Sequence, residues 1–215
     1  MRVVLVGPPG VGKGTQAARL KTLLGVPHVS TGDILRAAMA EGSALGKKVR
    51  EFVESGRLVP DELMGDLIAE RLARSDARDG FVLDGFPRTL AQVEILDRVL
   101  ASAGMPLDKV LMLVAPQDVI VRRLTGRRTC PKCGAVYHLE GHPPASAGVC
   151  DACGSALVQR PDDSEEVIRK RLKVYESQTL PVAEAYRERG LLARIDGFGD
   201  VLDVAGRARA ALGNA

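Results

Sequence analysis

Apolar residues recur along this chain in two patterns. Five short runs rich in Val, Leu and Ile, at 3–6, 26–29, 81–83, 110–114 and 191–195, are cut off by Gly, Pro or Asp. Runs of that length between such breakers read as strands buried on both faces. Between them lie segments with apolar residues three and four apart, the spacing of a helix with one buried face. Ala17, Leu20, Leu23 and Leu24 mark the first. Leu63, Leu67, Ile68 and Leu72 mark one that opens at Pro60, and Val93, Leu96 and Leu100 mark one over 89–103, stopped by Gly104 and Pro106. Segment 33–56 is helical with breaks around Gly42 and Gly46; Ser30 caps it, with Asp33 returning the bond. A helix from Gln117 runs into Gly126, a long one is expected over 162–189 with Ile168, Leu172 and Tyr175 on one face, and a last one follows Asp200. Strands alternating with helices predict an α/β fold, a five-stranded parallel sheet covered on both faces. Ligands of such a sheet bind at the carboxyl ends of its strands.

One of those ends carries GPPGVGKGT, residues 7–15, directly after the first strand and before the first helix. A glycine-rich turn there points backbone N–H groups inward above the positive end of a helix dipole, which makes a phosphate cradle. Lys13 would reach the outer phosphates as a point charge. The general phosphate-loop pattern wants Ser or Thr right after the lysine, whereas here Gly14 precedes Thr15. A second strand ends in Asp84-Gly85-Phe86-Pro87-Arg88. An Asp leaving a buried strand beside a phosphate loop is placed to hold Mg²⁺, directly or through water, and Arg88 can grip a phosphate through two bonds.

Residues 126–163 lose the helical pattern and hold all four cysteines, so they read as a separate module. Cys130-Pro-Lys-Cys133-Gly134 and Cys150-Asp-Ala-Cys153-Gly154 are two Cys-x-x-Cys knuckles whose spacing fits a closed, structural Cys₄ zinc site. Glycine after each pair allows the tight turn that aims backbone N–H groups at sulfur. A module with so little apolar core is a sensible place for a metal staple. Free cysteines and two disulfides are the other readings of these residues, and iron could occupy the same sulfurs.

Composition narrows the classes further. A 215-residue chain with 46% apolar residues fits one domain plus a small insert. Aromatics are 3% and Trp is absent, so the core is aliphatic and base stacking on aromatic platforms is not the main binding mode. A net charge of +3 implies neither a nucleic-acid nor a membrane partner. The first apolar run stops at Val6, too short for a signal-peptide core, and no stretch approaches a membrane span; the expectation is cytoplasmic, where disulfides are rare.

Taken in order, GPPGVGKGT, STGDILR (30–36), GRLVPDE (56–62), DGFPRT with Gln92, LTGRR (124–128) and DGFGD (196–200) resemble the adenylate kinases, in their bacterial long-lid form, over essentially the whole chain. The resemblance implies a phosphate-loop core over 1–29, 60–125 and 164–215, a nucleoside-monophosphate-binding segment over 30–59 and a zinc-containing lid over 126–163. It implies ATP on Gly10, Val11, Gly12, Lys13, Gly14, Thr15, Arg123, Arg127, Val136, Tyr137 and Gly199. AMP would meet Thr31, Arg36, Arg57, Leu58, Val59, Gly85, Phe86, Pro87, Arg88 and Gln92, with Arg160 and Arg171 shared at the transferring phosphoryl group. Gln92 suits a purine because its amide offers donor and acceptor together. The family usually has Lys where Arg57 stands and often Lys or Gln where Gly199 stands; both contacts run through backbone. It also carries a cis peptide at the position of Phe86–Pro87.

The activity so implied is Mg-ATP + AMP ⇌ 2 ADP, by a monomer whose only partners are ATP, AMP and ADP. Catalysis would rest on Lys13, Asp84, Arg88, Arg123, Arg127, Arg160 and Arg171, with Cys130, Cys133, Cys150 and Cys153 reserved for metal. Arg123 and Arg127, four apart, would share a helix face if that helix extends far enough. His28, His138 and His142 are not at ligand spacing and read as ordinary packing or surface residues. Two alternatives stand beside this reading: the same fold acting on UMP, CMP or GMP, and an ATP-hydrolysing zinc protein that binds nucleic acid or acts as a switch.

Overall fold

A computed structural model describes residues 1–213. The chain runs β1 (Arg2–Val6), α1 (Lys13–Leu24), β2 (His28–Ser30), α2 (Thr31–Ala40), α3 (Ala44–Ser55), α4 (Asp61–Leu72), β3 (Phe81–Asp84), α5 (Leu90–Ser102), β4 (Lys109–Val114) and α6 (Gln117–Thr125). It continues through β5 (Arg127–Thr129), β6 (Val136–His138), α7 (Glu165–Val174), α8 (Leu180–Glu188), β7 (Leu192–Asp196) and α9 (Val201–Leu212). The five apolar runs form one all-parallel sheet in the order β2-β3-β1-β4-β7. From β1 the chain goes to the edge strand β2, returns to β3 beside β1, and then crosses to β4 and β7 on the other side, so the switch point lies at the carboxyl end of β1, between β3 and β4.

Alternation along the strands divides the core into two layers. Val3 and Leu5, with Val82, Leu111 and Leu113, face α1 and α9 through Ala17, Leu20, Val204 and Ala208. Val4 and Val6, with Leu83 and Val110, face α4, α5 and α8 through Ile68, Leu72, Leu96, Leu100 and Val182. Each such aliphatic side chain contributes roughly 1.5–3 kcal/mol on burial. A third cluster, Ile120, Leu124, Ile168 and Leu172, joins α6 to α7. The two-stranded antiparallel pair β5–β6 and the cysteine knuckles therefore leave and rejoin the core at neighbouring points. Among the described residues no helix is long and apolar enough to cross a membrane.

Five expectations need correction or completion. Leu23 is 43% exposed, because it stands about 120° round α1 from Ala17, beyond the stripe formed by Gln16, Ala17 and Leu20. The helix expected over 162–189 starts at Glu165, where Ser164 caps it by accepting from Val167 N, and a π-helical turn, Tyr175–Thr179, divides it before α8. Helix α6 stops at Thr125, so Arg127 lies on β5 and shares no helix face with Arg123. The break in 33–56 falls between Ala40 and Ala44, and Gly46 lies inside α3. A Cβ there would sit 2.0 Å from Ala38 O, so glycine is what lets α3 close on α2. Ser30 does cap α2 through Asp33 N, but the Asp33 carboxylate pairs with Arg36 and does not return the bond.

Candidate functional site

The loop after β1 delivers its turn straight into α1, whose first residue is Lys13. Lys13 Nζ folds back to donate to Gly7 O (2.8 Å) and Pro8 O (2.9 Å). Burial lowers its pKa to about 8; Asp84 opposes this, while Arg88, Arg171 and Arg127 reinforce it. Those neighbours show which side chains share its space. Arg123 Nη1 donates to Val11 O (3.2 Å) and Gly197 O (3.0 Å), tying the phosphate loop to the turn between β7 and α9. Asp84 pairs in register with Leu5, one residue before the end of β1. Its carboxylate accepts no hydrogen bond among the described residues; His28 Nε2 lies 3.7 Å from its Oδ2. His28, read from sequence as ordinary, is thus half-buried beside a site residue, and its Nε2 lacks a hydrogen-bond partner.

On the other side of β1 a cleft opens between the loop and α2, α3 and α5. Gly7, Lys13, Thr31, Arg36, Arg57, Leu58, Val59, Gly85, Pro87, Arg88, Gln92 and Arg171 all line it. Thr31 Oγ1 donates to Asp84 O (3.3 Å), and Arg88 Nε donates to Gly85 O (2.7 Å), so side chains orient the DGFPR turn internally. The Phe86–Pro87 bond is cis. Burial, then Arg171, brings the Arg88 pKa down to about 10. Arg57 pairs with Glu51 and stacks over Phe52, its guanidinium 5.0 Å from the ring centroid, leaving its backbone for the cleft.

Two residues missed in the sequence organise the arginines. Asp163, fully buried, receives Arg127 Nε (2.7 Å) and Nη2 (2.6 Å) as a two-bond fork. Asp162 holds Arg171 through Oδ2 (2.8 Å) and its backbone oxygen (3.0 Å). Both had been spent on a helix start; the Ser164-Glu165-Glu166-Val167 cap was the available signal that the helix begins later. Arg160 Nε donates to Thr129 Oγ1 (2.9 Å), and burial, then Arg127 and Arg36, brings its pKa down to about 10. Lys13, Arg36, Arg88, Arg127, Arg160 and Arg171 thus converge, opposed by Asp84, Asp162 and Asp163 and, at Arg36, by Asp33. That excess of cations suits a polyanion. An Asp163→Asn substitution removes the charge that fixes Arg127 and should cost about 3 kcal/mol, read as a lower melting temperature together with reduced turnover. Unchanged values of both would separate Asp163 from the site.

In the insert, Cys130 and Cys153 Sγ are 3.4 Å apart and Cys133 and Cys150 Sγ 3.5 Å apart, with none of the four in a disulfide. All four sulfurs lie within 4.8 Å of one another. A tetrahedral zinc–thiolate centre needs sulfur–sulfur spacings of about 3.8 Å. The knuckles are built alike: Gly134 N donates to Cys130 O and Gly154 N to Cys150 O, with φ of 76° and 70° that favour glycine. Hydrogen bonds from Ser155, then Cys130, lower the Cys153 pKa to about 6, toward the thiolate that binds metal. Tyr137 is buried against this cluster: its oxygen accepts from Asp151 N (2.9 Å), so its proton points to Cys150 Sγ (3.6 Å). Val136, Tyr137 and Gly199 lie outside the cleft described above.

Fold and site together place the chain among the phosphate-loop α/β phosphotransferases, with a cation-rich cleft and a four-cysteine insert. The family described as "ADK: Adenylate kinase" matches residues 5–191. The chain is 54% identical over 197 residues to the adenylate kinase of Moorella thermoacetica, covering 92% of this chain and 91% of that one. It is 51% identical over 213 residues to that of Streptomyces griseus (99% and 97%), and 49% identical over 201 residues to that of Archaeoglobus fulgidus (94% and 93%). The chain belongs to the adenylate kinase family.

Proposed function

We propose that this protein transfers the terminal phosphoryl group of ATP to AMP, reversibly, giving two ADP. The observation that carries this reading is a single cleft in which the phosphate loop and Lys13 face Thr31, Arg36, Arg88 and Gln92, with Arg171 lining the same space. A hydrolase has no use for a second phosphate site. ATP phosphates rest on Gly10 to Thr15 with Arg123 and Arg127, and the nucleoside end meets backbone near Val136, Tyr137 and Gly199. AMP rests on Thr31, Arg36, the backbone of Arg57 to Val59, Gly85 to Arg88, and Gln92.

No general base is needed. The AMP phosphate has its second pKa near about 6 and is already a dianion at neutral pH. What the chain supplies is alignment and charge: Lys13, Arg88, Arg127, Arg160 and Arg171 surround the equatorial oxygens on which negative charge spreads during transfer. The carboxylate of Asp84, a hard oxygen donor beside the cradle, fits Mg²⁺ carried by ATP, which would supply charge neutralisation to the phosphates. The four thiolates fit one structural Zn²⁺, which would hold the insert folded. Residues 126–163 act as a lid and 30–59 as a second cover, and together they keep water from competing with AMP. ATP, AMP and ADP are the partners of a cytoplasmic monomer.

The test is a transfer assay with Mg-ATP against AMP, UMP, CMP, GMP and no acceptor. AMP should be strongly preferred, with little ATP lost in its absence. Preference for another monophosphate would keep fold and mechanism but overturn the reading of Gln92, and acceptor-independent hydrolysis would remove the protein from this class of enzyme.

A further inference from the structure

Gln92 is 2% exposed and lines the cleft, yet its amide is not free to turn. The backbone N–H of Arg88 donates to Gln92 Oε1 at 2.7 Å. On the opposite side Gln92 Nε2 donates to Asp61 Oδ1, also at 2.7 Å. A backbone N–H can only donate and an ionised carboxylate can only accept, so the two partners fix which end of the amide is oxygen and which is nitrogen. Turning it over would set N–H against N–H at Arg88 and oxygen against oxygen at Asp61. Asp61 is the first residue of α4, behind Gln92 and outside the cleft lining, so it touches Gln92 and not the ligand.

After these two bonds the amide keeps one N–H and one acceptor position, in a fixed spatial order. A purine edge is read by that order. Adenine offers a donor at its 6-amino group and an acceptor at N1; hypoxanthine and guanine offer an acceptor at O6 and a donor at N1–H. A freely turning amide would accommodate both patterns, whereas a locked one accommodates one. We infer that Asp61 is a specificity-determining positioning residue, locking the Gln92 amide in the orientation that accepts a 6-aminopurine monophosphate and rejects a 6-oxopurine. The inference rests on the proposed AMP role of Gln92. Discrimination of this kind is effective because the wrong edge leaves buried polar groups unpaired.

The probe is inosine monophosphate, which differs from AMP only in that edge. In Asp61→Asn the side chain keeps its shape at the helix start but no longer demands a donor from Gln92, so only the Arg88 N–H still favours the original orientation. The ratio of kcat/KM for AMP to that for inosine monophosphate should fall by about tenfold or more, through a gain on inosine monophosphate. The kcat with AMP should stay within about twofold of wild type, and the UMP rate should not rise. A purely structural defect would lower all acceptors together and would not move the ratio. Asp61→Ala, which removes the acceptor altogether, should relax the ratio in the same direction, and melting curves identify either variant if it is unfolded. An unchanged ratio in both folded variants overturns the inference. Gln92→Ala separates the two levels: if it depresses AMP use while the Asp61 variants leave the ratio alone, only the lock is wrong. If Gln92→Ala alters nothing, the reading of Gln92 and the lock fall together.

Discussion

Replacing Lys13 by methionine should reduce phosphoryl transfer about 10³-fold while leaving the fold intact. Methionine matches the length of lysine but carries no charge. The charge lost lies where negative charge gathers during transfer, and that is where one preorganised cation counts most. The fold survives because Nζ is anchored only to two loop carbonyls, Gly7 O and Pro8 O, and not to the core. The same residue sets a pH dependence. With its pKa lowered to about 8 from an ordinary 10.5, Lys13 loses its proton at a pH where a surface lysine keeps it. The kcat/KM for ATP should therefore decline as pH rises through about 8. Stability moves the other way: between about 8 and 10.5 the unfolded chain binds the proton more readily, so wild type gains stability with rising pH relative to Lys13→Met. Near-wild-type turnover in the variant would remove the phosphate loop from the mechanism.

Removing metal from the insert should lower its melting temperature well before that of the sheet. Among the described residues the apolar cluster of the module is Cys130, Tyr137 and Cys150 with Ala135, Cys153 and Leu157, three of them candidate sulfur ligands. A chelator or Cys130→Ser thus removes both the staple and the centre of the cluster. A loss of about 3 kcal/mol shifts the melting of a chain this size by about 6–12 °C, and the insert and the core should separate into two calorimetric transitions. Between those transitions transfer should fail, because Arg127 opens β5 and Arg160 closes the insert. Below the first, activity should be nearly preserved, since the sulfurs touch no reacting atom. A native protein without bound metal, or one that melts identically after chelation, would end the staple reading.

The two cation groups differ in how plainly they were written in the chain. Lys13 and Arg88 sit inside local motifs, each at the end of a strand whose apolar run is unmistakable. The four cysteines were equally plain, since two knuckles of equal spacing need only local turns to aim their sulfurs. For Arg127 the four-residue spacing suggests a shared helix face with Arg123 only if the helix extends that far. Gly126 closes α6 too early for that, and β pairing with His138 takes Arg127 instead. Asp162 and Asp163 were hidden for a related reason: acidic residues before a helix look like its first turn, and only packing against Arg127 and Arg171 shows them as buried counter-charges. Asp61 behaved likewise, reading as an ordinary helix start while its carboxylate faced Gln92, thirty-one positions away.

By itself, then, the sequence determined the alternation of strands and helices, the phosphate loop, the DGFPR turn and the cysteine framework. Each of these depends on interactions within a few residues, on period and on turn chemistry, which a linear pattern records directly. Only the tertiary structure decided the strand order around β1, the partners that orient Arg127, Arg171 and Gln92, and the set of cations that share space with Lys13. Those depend on which distant side chains the fold brings within hydrogen-bonding reach. There one buried carboxylate fixes the direction of a guanidinium or an amide, and its sequence position gives no sign of it.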